Sequence, residues 1–419
     1  MKALKFMQKL RMEEKIQTKE RMKLVKNILS DKNNLTEIKK MQPQLVTWFH
    51  ALHQIPEIEL SLPKTVAYVS AQLTAMGVKH QILPNSTGII ALIGKQGPVI
   101  AVRGDMDALD ICENTQLSFA SKNGHMHACG HDSHAAILLT IAKYLQAHEN
   151  ELKGRVKLLF QTAEEVLRGA KYMIEQGALE NPKPIAILAL HSGGFQQTYP
   201  TGHLTIAESV GFYSSDSFEI TVKGKGGHAA SPQAAVDPIV IAADIIENLQ
   251  QLISREVHPG IPAVLSVTHI HAGNETYNVI PDEAFLMGGI RTTNAVTRQM
   301  LLKRAKEICE KTAAVMRAEA TFKLTDGAPP LVNDKVVSEQ VYASIQKLFP
   351  QEVHWIKEPN NCSEDAAYFF EKVPGCYISL CSLGQENKVF YPHHNAKFRL
   401  EEDVLWKGAA ALVQAALDL

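Results

Sequence analysis

Cysteine is sparse in this chain, and its six cysteines form no Cys-x-x-Cys pair. Small secreted domains that depend on disulfides are dense in cysteine, so a disulfide framework is not expected. Nor does any stretch approach the roughly 18 consecutive apolar residues of a transmembrane helix. Internal repeats and low-complexity tracts are missing as well. These absences exclude disulfide-rich, membrane-spanning and repetitive proteins, and they favour a globular protein of the reducing cytoplasm.

Length and composition fit ordinary globular domains, with 419 residues of which 45% are apolar and 21% charged. A single core stops growing near ~250–300 residues, so two domains are expected. The formal net charge is -1, but residues 1–40 carry twelve Lys or Arg against five Asp or Glu. Residues 1–42 are predicted to be a basic helical extension, because they lack the apolar segment of a secretory signal and contain acidic residues unlike a transit peptide.

Three short apolar runs that end in polar residues predict a mostly parallel sheet. They are PVIAVRGDMDAL from Pro98, RVKLLFQTAEE from Arg155 and PIAILALHSGG from Pro184. Their nearly continuous apolar character is typical of strands that are buried on both faces. Residues 133–148, between the first two runs, show one apolar helical face. The alternation predicts an α/β domain with helices on both faces of the sheet.

Residues 211–326 change to a β-α-β-β-α-β order. One of the helices is predicted to begin at Pro238 with Asp237 as its cap, since proline suits the first helical position and aspartate the position before it. The order is that of a ferredoxin-like α+β unit. We therefore predict an inserted domain, residues 211–326, within a discontinuous first domain made of residues 43–210 and 327–419.

The stretch MHACGHDSHA, residues 126–135, concentrates side chains that bind metals. Burying such groups is costly unless they find partners. Because parallel strands end at one edge of a sheet, further polar side chains from the strand ends are expected beside this stretch. A mixed set of sulfur, nitrogen and oxygen ligands suits Zn, Mn, Ni or Co rather than Ca or Mg. The predicted ligands are Cys129, His131, Glu165, His191 and His394.

Five ligands exceed the four of one tetrahedral ion, so two adjacent ions that share a ligand are predicted. Glu164 directly precedes one of these ligands, and successive side chains after a strand project differently, so one can bind metal while the other holds a water. Glu164 is therefore predicted to be the general base of a hydrolysis reaction. His125, His127 and His134 are more simply structural residues, although His127 or His134 could support a ligand from behind.

Eight motifs in order from about Pro43 onward resemble dinuclear metallo-amidohydrolases, a family that includes aminoacylases, hippurate hydrolases and auxin-conjugate hydrolases. The motifs are RGDMDAL, GHMHACGHDSHAA, QTAEE, LALHSG, GKGGHAASPQAAVDP, NVIPDEA, GGIRT and NNCSEDAAYF. The resemblance implies hydrolysis of an N-acyl amino acid to a carboxylate and a free amino acid, with the same five ligands and the same base. It favours His394 over His393, because the family's ligand stands four residues before an aromatic residue, here Phe398.

The resemblance also implies that the inserted domain is a dimerisation or lid domain and that the protein is a homodimer. His228, in the turn KGKGGHAASPQ, would then stabilise the oxyanion in the active site of the other chain. Asn278 and Arg291 are implied to bind the carboxylate of the amino acid, for which a guanidinium is well suited. Simpler roles stay open: His228 could cap the following helix, and Arg291 could form a surface ion pair. Neither nucleic acid nor a membrane is expected as a partner.

Departures from the family pattern leave the substrate open. Asp110 and Ala366 stand where the family has a proline and an aromatic residue, and the usual proline after the last ligand is missing. None of these changes removes a ligand or the base. A dipeptidase or carboxypeptidase of the same fold would use the same metals. A non-catalytic metal-dependent binding protein is a further alternative, against which Glu164 argues because a purely structural site needs no base.

Overall fold

The computed structural model describes residues 31–194 and 199–419. Most of the predicted basic extension therefore lies outside the described residues. Across the described ranges, none of the helices combines the length and the hydropathy needed to cross a bilayer. The helices are α1 (Asp31–Lys40), α2 (Gln42–His53), α3 (Pro63–Ala75), α4 (His131–Ala147), α5 (Gly169–Glu175), α6 (Pro238–Gln251), α7 (Ala295–Val315), α8 (Lys335–Leu348), the single turn α9 (Ala367–Phe370) and α10 (Leu405–Asp418).

The strands of the described residues are longest in the segment predicted to be inserted. In chain order they are β1 (His80–Ile82), β2 (Gly88–Ile93), β3 (Val99–Asp105), β4 (Arg155–Gln161), β5 (Ala186–Gly193), β6 (Leu204–Ala207), β7 (Val210–Phe212), β8 (Ser215–Lys223), β9 (Gly227–His228), β10 (Ala263–Ala272), β11 (Val279–Ile280), β12 (Glu283–Thr292), β13 (Glu319–Ala328), β14 (Leu331–Val332), β15 (Val353–Ile356), β16 (Gly375–Cys381), β17 (Gln385–Glu386) and β18 (Val389–Phe390).

Two compact units divide the chain. Unit 1 takes the residues up to Gly211 together with 332–358 and 368–419, and unit 2 takes residues 212–331 and 359–367. The short segment 359–367 groups with unit 2 although the chain has already passed through part of unit 1 before reaching it. Each unit has its own hydrophobic core.

The large sheet of unit 1 has the strand order β1-β2-β4-β3-β5-β16-β6-β15. Its centre, from β4 through β3 and β5 to β16, is parallel, whereas β2 and β6 run antiparallel to their neighbours β4 and β16. Every residue of β3 and β5 is buried, as continuous apolar strands in the middle of a covered sheet require. The predicted α/β fold with a mostly parallel sheet is confirmed.

Helix α4 is the central helix of unit 1, and 14 of its 17 residues are buried. It contacts strands β3, β4 and β5 and packs against α2 and α10. Gly130 precedes it with a φ of +91°, a left-handed conformation that glycine adopts without strain. Leu412 and its alanine-rich neighbours in α10 are buried along almost the whole helix. The tight packing fixes the first turn of α4 at the edge where the parallel strands end.

Unit 2 is a four-stranded antiparallel sheet with two helices packed on it. The strand order is β10-β12-β8-β13, and α6 and α7 both contact the sheet. Chain order and sheet order together are those of a ferredoxin-like unit, as predicted. Asp237 caps α6 by accepting a hydrogen bond from the N–H of Ile239, with Pro238 in the first turn. The predicted start of this helix is therefore confirmed.

Candidate active site

The polar residues that follow the parallel strands of unit 1 meet at one edge of its sheet. Strand β3 ends at Asp105, β4 is followed by Glu164 and Glu165, and β5 carries His191 near its end. Because β3 pairs in parallel with both β4 and β5, these ends lie side by side. Helix α4 begins at the same edge with His131.

All five predicted ligands and the predicted base belong, together with His393, to groups of side chains in unit 1 that could hold a metal ion. They form three groups in which the ligand atoms lie within 4.8 Å of one another, and His131 also forms a fourth group with Asp105 and His134. Cys129 and Glu165 each belong to two groups, so each is placed to be shared between two ions. The three groups are Cys129 with His191 and His393, Cys129 with Glu165 and His394, and His131 with Glu164 and Glu165.

The spacing within these groups fits metal coordination. Cys129 Sγ lies 3.6 Å from His191 Nε2. With bond lengths of about 2.3 Å to sulfur and about 2.1 Å to nitrogen, two ligands of one tetrahedral ion are separated by about 3.6 Å. Glu165 lies 3.4 Å from His394 and 3.9 Å from His131, measured between carboxylate oxygens and the Nε2 atoms. These are distances between ligands that face a common ion.

Several buried polar atoms in the site lack an internal partner. Both ring nitrogens of His131 and Oε1 of Glu165 have no hydrogen-bond partner within the described part of the chain. A buried polar group without a partner costs about 1–3 kcal/mol, and more when it is charged. A divalent cation would satisfy Glu165 Oε1 and one ring nitrogen of His131 together, since imidazole and carboxylate are both good ligands for transition metals.

The raised pKa values of Glu165 and Cys129 also indicate a site that favours a bound cation. Burial raises the pKa of Glu165 to about 7, although the nearby His131 opposes this shift. Burial, together with Glu165 and Glu164, holds the pKa of the Cys129 thiol well above its ordinary value. Only a strong positive charge makes a thiolate and two carboxylates favourable in this place, so metal binding would release protons.

Three histidines of the site, the buried His131 and His191 and the half-buried His393, differ in charge. Burial lowers the pKa of His191 well below its ordinary value and lowers that of His393 to about 3, so both rings are neutral. For His131, burial acts in the same direction, but Asp105 and Asp107 outweigh it and raise its pKa to about 10. His131 therefore loses a proton when a cation binds there.

Asp107 connects two of the predicted ligands. Its Oδ2 accepts the backbone N–H of Glu165 at 3.0 Å, and its Oδ1 lies 3.5 Å from Nδ1 of His131. Asp107 is therefore placed to orient both residues. The motif RGDMDAL marks the end of β3 in the sequence, but nothing in the motif tells which residues Asp107 would contact.

A second buried network of ion pairs and hydrogen bonds leads to the peptide that follows His191. Arg103 Nη1 pairs with Asp105 Oδ2 at 2.7 Å, and Asp105 Oδ1 pairs with His134 Nδ1 at 2.5 Å. The backbone N–H of Ser192 then donates to His134 Nε2 at 2.8 Å. His134 thus fixes the peptide that follows His191.

A third buried network adjoins the first turn of α4, and sequence reasoning missed it. His53 Nδ1 lies 2.6 Å from Asp132 Oδ2, and its Nε2 lies 3.2 Å from Glu113 Oε1. Burial opposes a charge on His53, but Asp132 and Glu113 outweigh burial and raise its pKa to about 10. No sequence pattern relates residue 53 to residue 132, so only the fold could reveal this cluster.

The other three predicted site residues lie in unit 2 and are exposed. His228 pairs with Val279 between β9 and β11, and the N–H of Ala229 donates to the carbonyl of Asn278 at 3.0 Å, so His228 and Asn278 are neighbours. Arg291, on β12, donates from Nη1 to the carbonyl of Asn361 at 3.3 Å. These contacts lie within unit 2.

His228 has a hydrogen bond that determines where its ring proton lies. The N–H of Ala230 donates to His228 Nδ1 at 3.0 Å. Since an N–H can only donate, Nδ1 must keep its lone pair, and the proton of the neutral ring lies on Nε2. The cap of the following helix α6 is Asp237 instead. His228 therefore presents an N–H donor on the surface of unit 2.

Comparison with known proteins assigns the family. The family model described as peptidase family M20/M25/M40 matches residues 101–418. The chain belongs to this family. The predicted resemblance to metal-dependent amide-bond hydrolases is confirmed.

Relatives of this M20 chain match it along most of its length. It is 38% identical over 378 residues to the IAA-amino acid hydrolase ILR1-like 2 of Arabidopsis thaliana, covering 88% of this chain and 84% of the relative. It is 36% identical over 371 residues to the N-acetylcysteine deacetylase of Bacillus subtilis, covering 88% and 94%. The structure of the Bacillus subtilis YXEP protein, a dinuclear metal-binding peptidase of family M20, superposes with a TM-score of 0.75 at 33% identity, covering 90% and 98%.

Proposed function

We propose that this protein hydrolyses the amide bond of N-acyl amino acids at two divalent metal ions, Zn, Mn, Ni or Co, held by unit 1. The observation that carries the proposal is the sharing of Cys129 and Glu165 between groups of donors at one edge of the sheet. Two of the relatives are named for reactions on an amino acid conjugate and on an N-acetyl amino acid. The proposed ligands are Cys129, His131, Glu165, His191 and His394.

When bound, the two ions would acidify the attacking water and polarise the amide carbonyl. Glu164 would take the proton from this water and pass it to the leaving amine. Its side chain is only 7% exposed, so few other waters compete for it. The tight turn after β4, in which Ala163 has a φ of +56° and the N–H of Leu167 donates to the carbonyl of Glu164, holds the base in place.

The residues of unit 2 would complete the site in a homodimer. With Nδ1 accepting the N–H of Ala230, His228 presents an Nε2–H donor, which is what the oxyanion of the tetrahedral intermediate requires. In this proposal, His228 acts on the substrate held by the other chain. Asn278 and Arg291 would bind the carboxylate of the amino acid.

The proposed domain organisation follows from these roles. Residues 43–210 and 327–419 would form the catalytic domain, residues 211–326 a dimerisation or lid domain, and residues 1–42 a basic extension. The six cysteines, all within the described residues, form no disulfide. Reduced thiols, one of them a proposed metal ligand, fit a reducing compartment, so we propose a cytoplasmic location with no nucleic acid or membrane as partner.

Turnover of a substrate panel tests the proposal. Metal-stripped protein is reloaded with Zn, Mn, Co or Ni and offered acetyl, benzoyl and indole-acetyl amino acids beside matched dipeptides. We expect metal-dependent release of free amino acid from the acyl compounds. Faster turnover of the dipeptides would instead support a dipeptidase or carboxypeptidase. Metal binding without turnover of any amide would support a non-catalytic binding protein.

A further inference from the structure

Two adjacent histidines, His393 and His394, approach Cys129 from the loop after β18, and the proposed metal centre uses only His394. His393 Nδ1 lies 3.6 Å from Cys129 Sγ, the same distance that separates this sulfur from Nε2 of His191. This distance fits both two ligands of one ion and an N–H···S hydrogen bond. The two possibilities are distinguished by the hydrogen bond that each histidine makes through the ring nitrogen that does not face Cys129.

His191 has the hydrogen bond that a metal ligand needs. Its Nδ1 lies 2.6 Å from the carbonyl oxygen of Ser192. A carbonyl can only accept, so the proton of the neutral ring lies on Nδ1, and Nε2 keeps a lone pair that faces Cys129. Histidines that bind metals usually donate their other N–H in this way.

His393 has the opposite arrangement. The backbone N–H of Gly194 donates to His393 Nε2 at 3.3 Å. An N–H can only donate, so Nε2 keeps its lone pair and the ring proton lies on Nδ1. The atom that faces Cys129 is therefore an N–H group, and a nitrogen that carries a proton has no lone pair left for a metal.

The backbone beneath the ring holds this arrangement. Gly193 has a φ of +112°, and a Cβ atom at this position would overlap Cε1 and Nε2 of His393, so this edge of the ring rests directly on the backbone. Ser382 fixes Gly193 in turn, because its Oγ accepts the N–H of Gly193 at 2.8 Å and its own N–H donates to the Gly193 carbonyl at 3.0 Å. The Nε2 edge of His393 faces this part of the chain.

We propose that His393 is a positioning residue that donates its Nδ1–H to the sulfur of Cys129 and is not a metal ligand. The inference rests on the proposed metal centre, in which Cys129 binds as a thiolate. Hydrogen bonds to a charged acceptor are stronger than neutral ones, so this bond would hold the sulfur between the two donor groups that share it. His394 is then the one histidine ligand that this loop supplies.

Two substitutions of His393 separate a donor from a ligand. In His393→Gln, the amide offers an N–H donor and a carbonyl acceptor, so it can serve Cys129 and Gly194 together, whereas a neutral amide is a poor ligand for cobalt. In His393→Phe, a ring remains on the backbone of Gly193 but can neither donate nor bind metal. His394→Gln is the matched control for the loss of a ligand.

Metal content after dialysis against a mild chelator is the first measurement, on the full-length protein loaded with Co²⁺. We expect both His393 variants to keep the wild-type content of two ions per subunit, and His394→Gln to lose one. The second measurement is the charge-transfer absorption band from sulfur to Co²⁺. We expect it to move to longer wavelength in His393→Phe, because the thiolate lone pairs lose a stabilising donor, and to stay near its wild-type position in His393→Gln.

Loss of an ion from His393→Gln would overturn the proposal, most plainly if His394→Gln kept both ions. A band that does not move in His393→Phe would also overturn it, because the N–H···S bond would then be absent. Should His393→Phe fail to fold, metal retention and band position in His393→Gln decide the question alone. Wild-type protein that binds no metal would count against the metal centre itself, and this result is visible before any variant of His393 is made.

Discussion

The predicted site residues of unit 1, apart from the exposed His394, are buried or half-buried, whereas those of unit 2 are all exposed. In unit 1, His131, Glu164 and His191 are at most 7% exposed, and His131 has no hydrogen-bond partner within the described part of the chain. In unit 2, His228 and Arg291 are exposed, and both hydrogen-bond to nearby backbone groups of that unit. The side chains of unit 1 are placed to bind a metal cation, whereas those of unit 2 face solvent.

This difference indicates that the residues of the two units have different roles. Burial of these charged and polar side chains raises the free energy of the site in unit 1, and such a cost is retained where a bound ion or a reaction requires it. Exposed donors on a folded unit carry little cost and gain a role only when another molecule covers them. We therefore expect substitutions in unit 1 to act on metal binding and on the chemical step, and substitutions in unit 2 to act on substrate through the proposed dimer.

The largest effect is expected for Glu164→Gln. The amide keeps the shape of the side chain but cannot take a proton, so kcat should fall ~10²–10⁴-fold while the metal content stays at two ions. The measurements are steady-state kinetics and metal analysis on the same preparation, with the exposed Glu175→Gln as control. Turnover near that of the wild type would show that Glu164 is not the base. The expectation that substitutions in unit 1 act on the chemical step would then fail as well.

A somewhat smaller effect is expected for His228→Ala. Loss of one oxyanion donor usually costs ~10²–10³-fold in kcat, and the metal content should not change. His258→Ala is a close control, because His258 is also exposed in unit 2 and its Nδ1 accepts the N–H of Gly260 at 3.1 Å. We expect this control to keep wild-type turnover.

Mixing mutant chains shows whether His228 serves the other chain of a dimer. Glu164→Ala and His228→Ala proteins are each expected to be nearly inactive alone, but in a heterodimer the second chain would keep its base and receive an intact His228. We expect activity to return as heterodimers form, measured by tagging one chain and isolating the mixed species. Isolated heterodimers that stay as inactive as the separate mutants would rule out an active site in which His228 serves the other chain.

The sequence predicted the fold better than it predicted the surroundings of the site. Strand β3 and its parallel neighbours were predictable because continuous apolar runs ended in polar residues, and the α6 cap because Asp237 and Pro238 form a local signal. The contacts of Asp107 with Glu165 and of His53 with Asp132 were not predictable. They join residues far apart in the chain, and which side chains meet there depends on how strands and helices pack.

A smaller effect is expected for Arg291→Ala. A hydrogen bond to a charged group is worth about 1.5–3 kcal/mol, so KM for an N-acyl amino acid should rise at least ~10-fold with kcat less affected. The matched substrate is the carboxamide of the same compound, for which KM should change little. Arg255→Ala, which removes another exposed guanidinium from unit 2, serves as control. An equal rise of KM for both substrates would mean that Arg291 does not bind the carboxylate.

Lys157 in β4 tests whether burial in unit 1 matters only where a metal binds. Its side chain is buried away from the donor groups and donates to the carbonyl oxygens of Ala178 at 3.0 Å and Glu180 at 2.6 Å. Burial lowers its pKa from 10.5 to about 8, only partly opposed by Glu180. Between pH 8 and 10.5 the unfolded chain therefore binds more protons at this residue than the folded chain does.

The sign of the effect on stability follows from this proton balance. As pH rises through this window, the lysine should add stability to the folded state, on the order of 1 kcal/mol per unit of pKa difference. In Lys157→Met this term is absent, so the free energy of unfolding of the wild type should rise relative to that of the variant between pH 8 and 10.5. Urea denaturation at several pH values measures the difference, with the exposed Lys372→Met as control. If the difference in the free energy of unfolding between wild type and Lys157→Met did not change with pH, burial would not destabilise the charged form of Lys157. The cost of burying charged groups in unit 1 would then be confined to the surroundings of the proposed metal ligands.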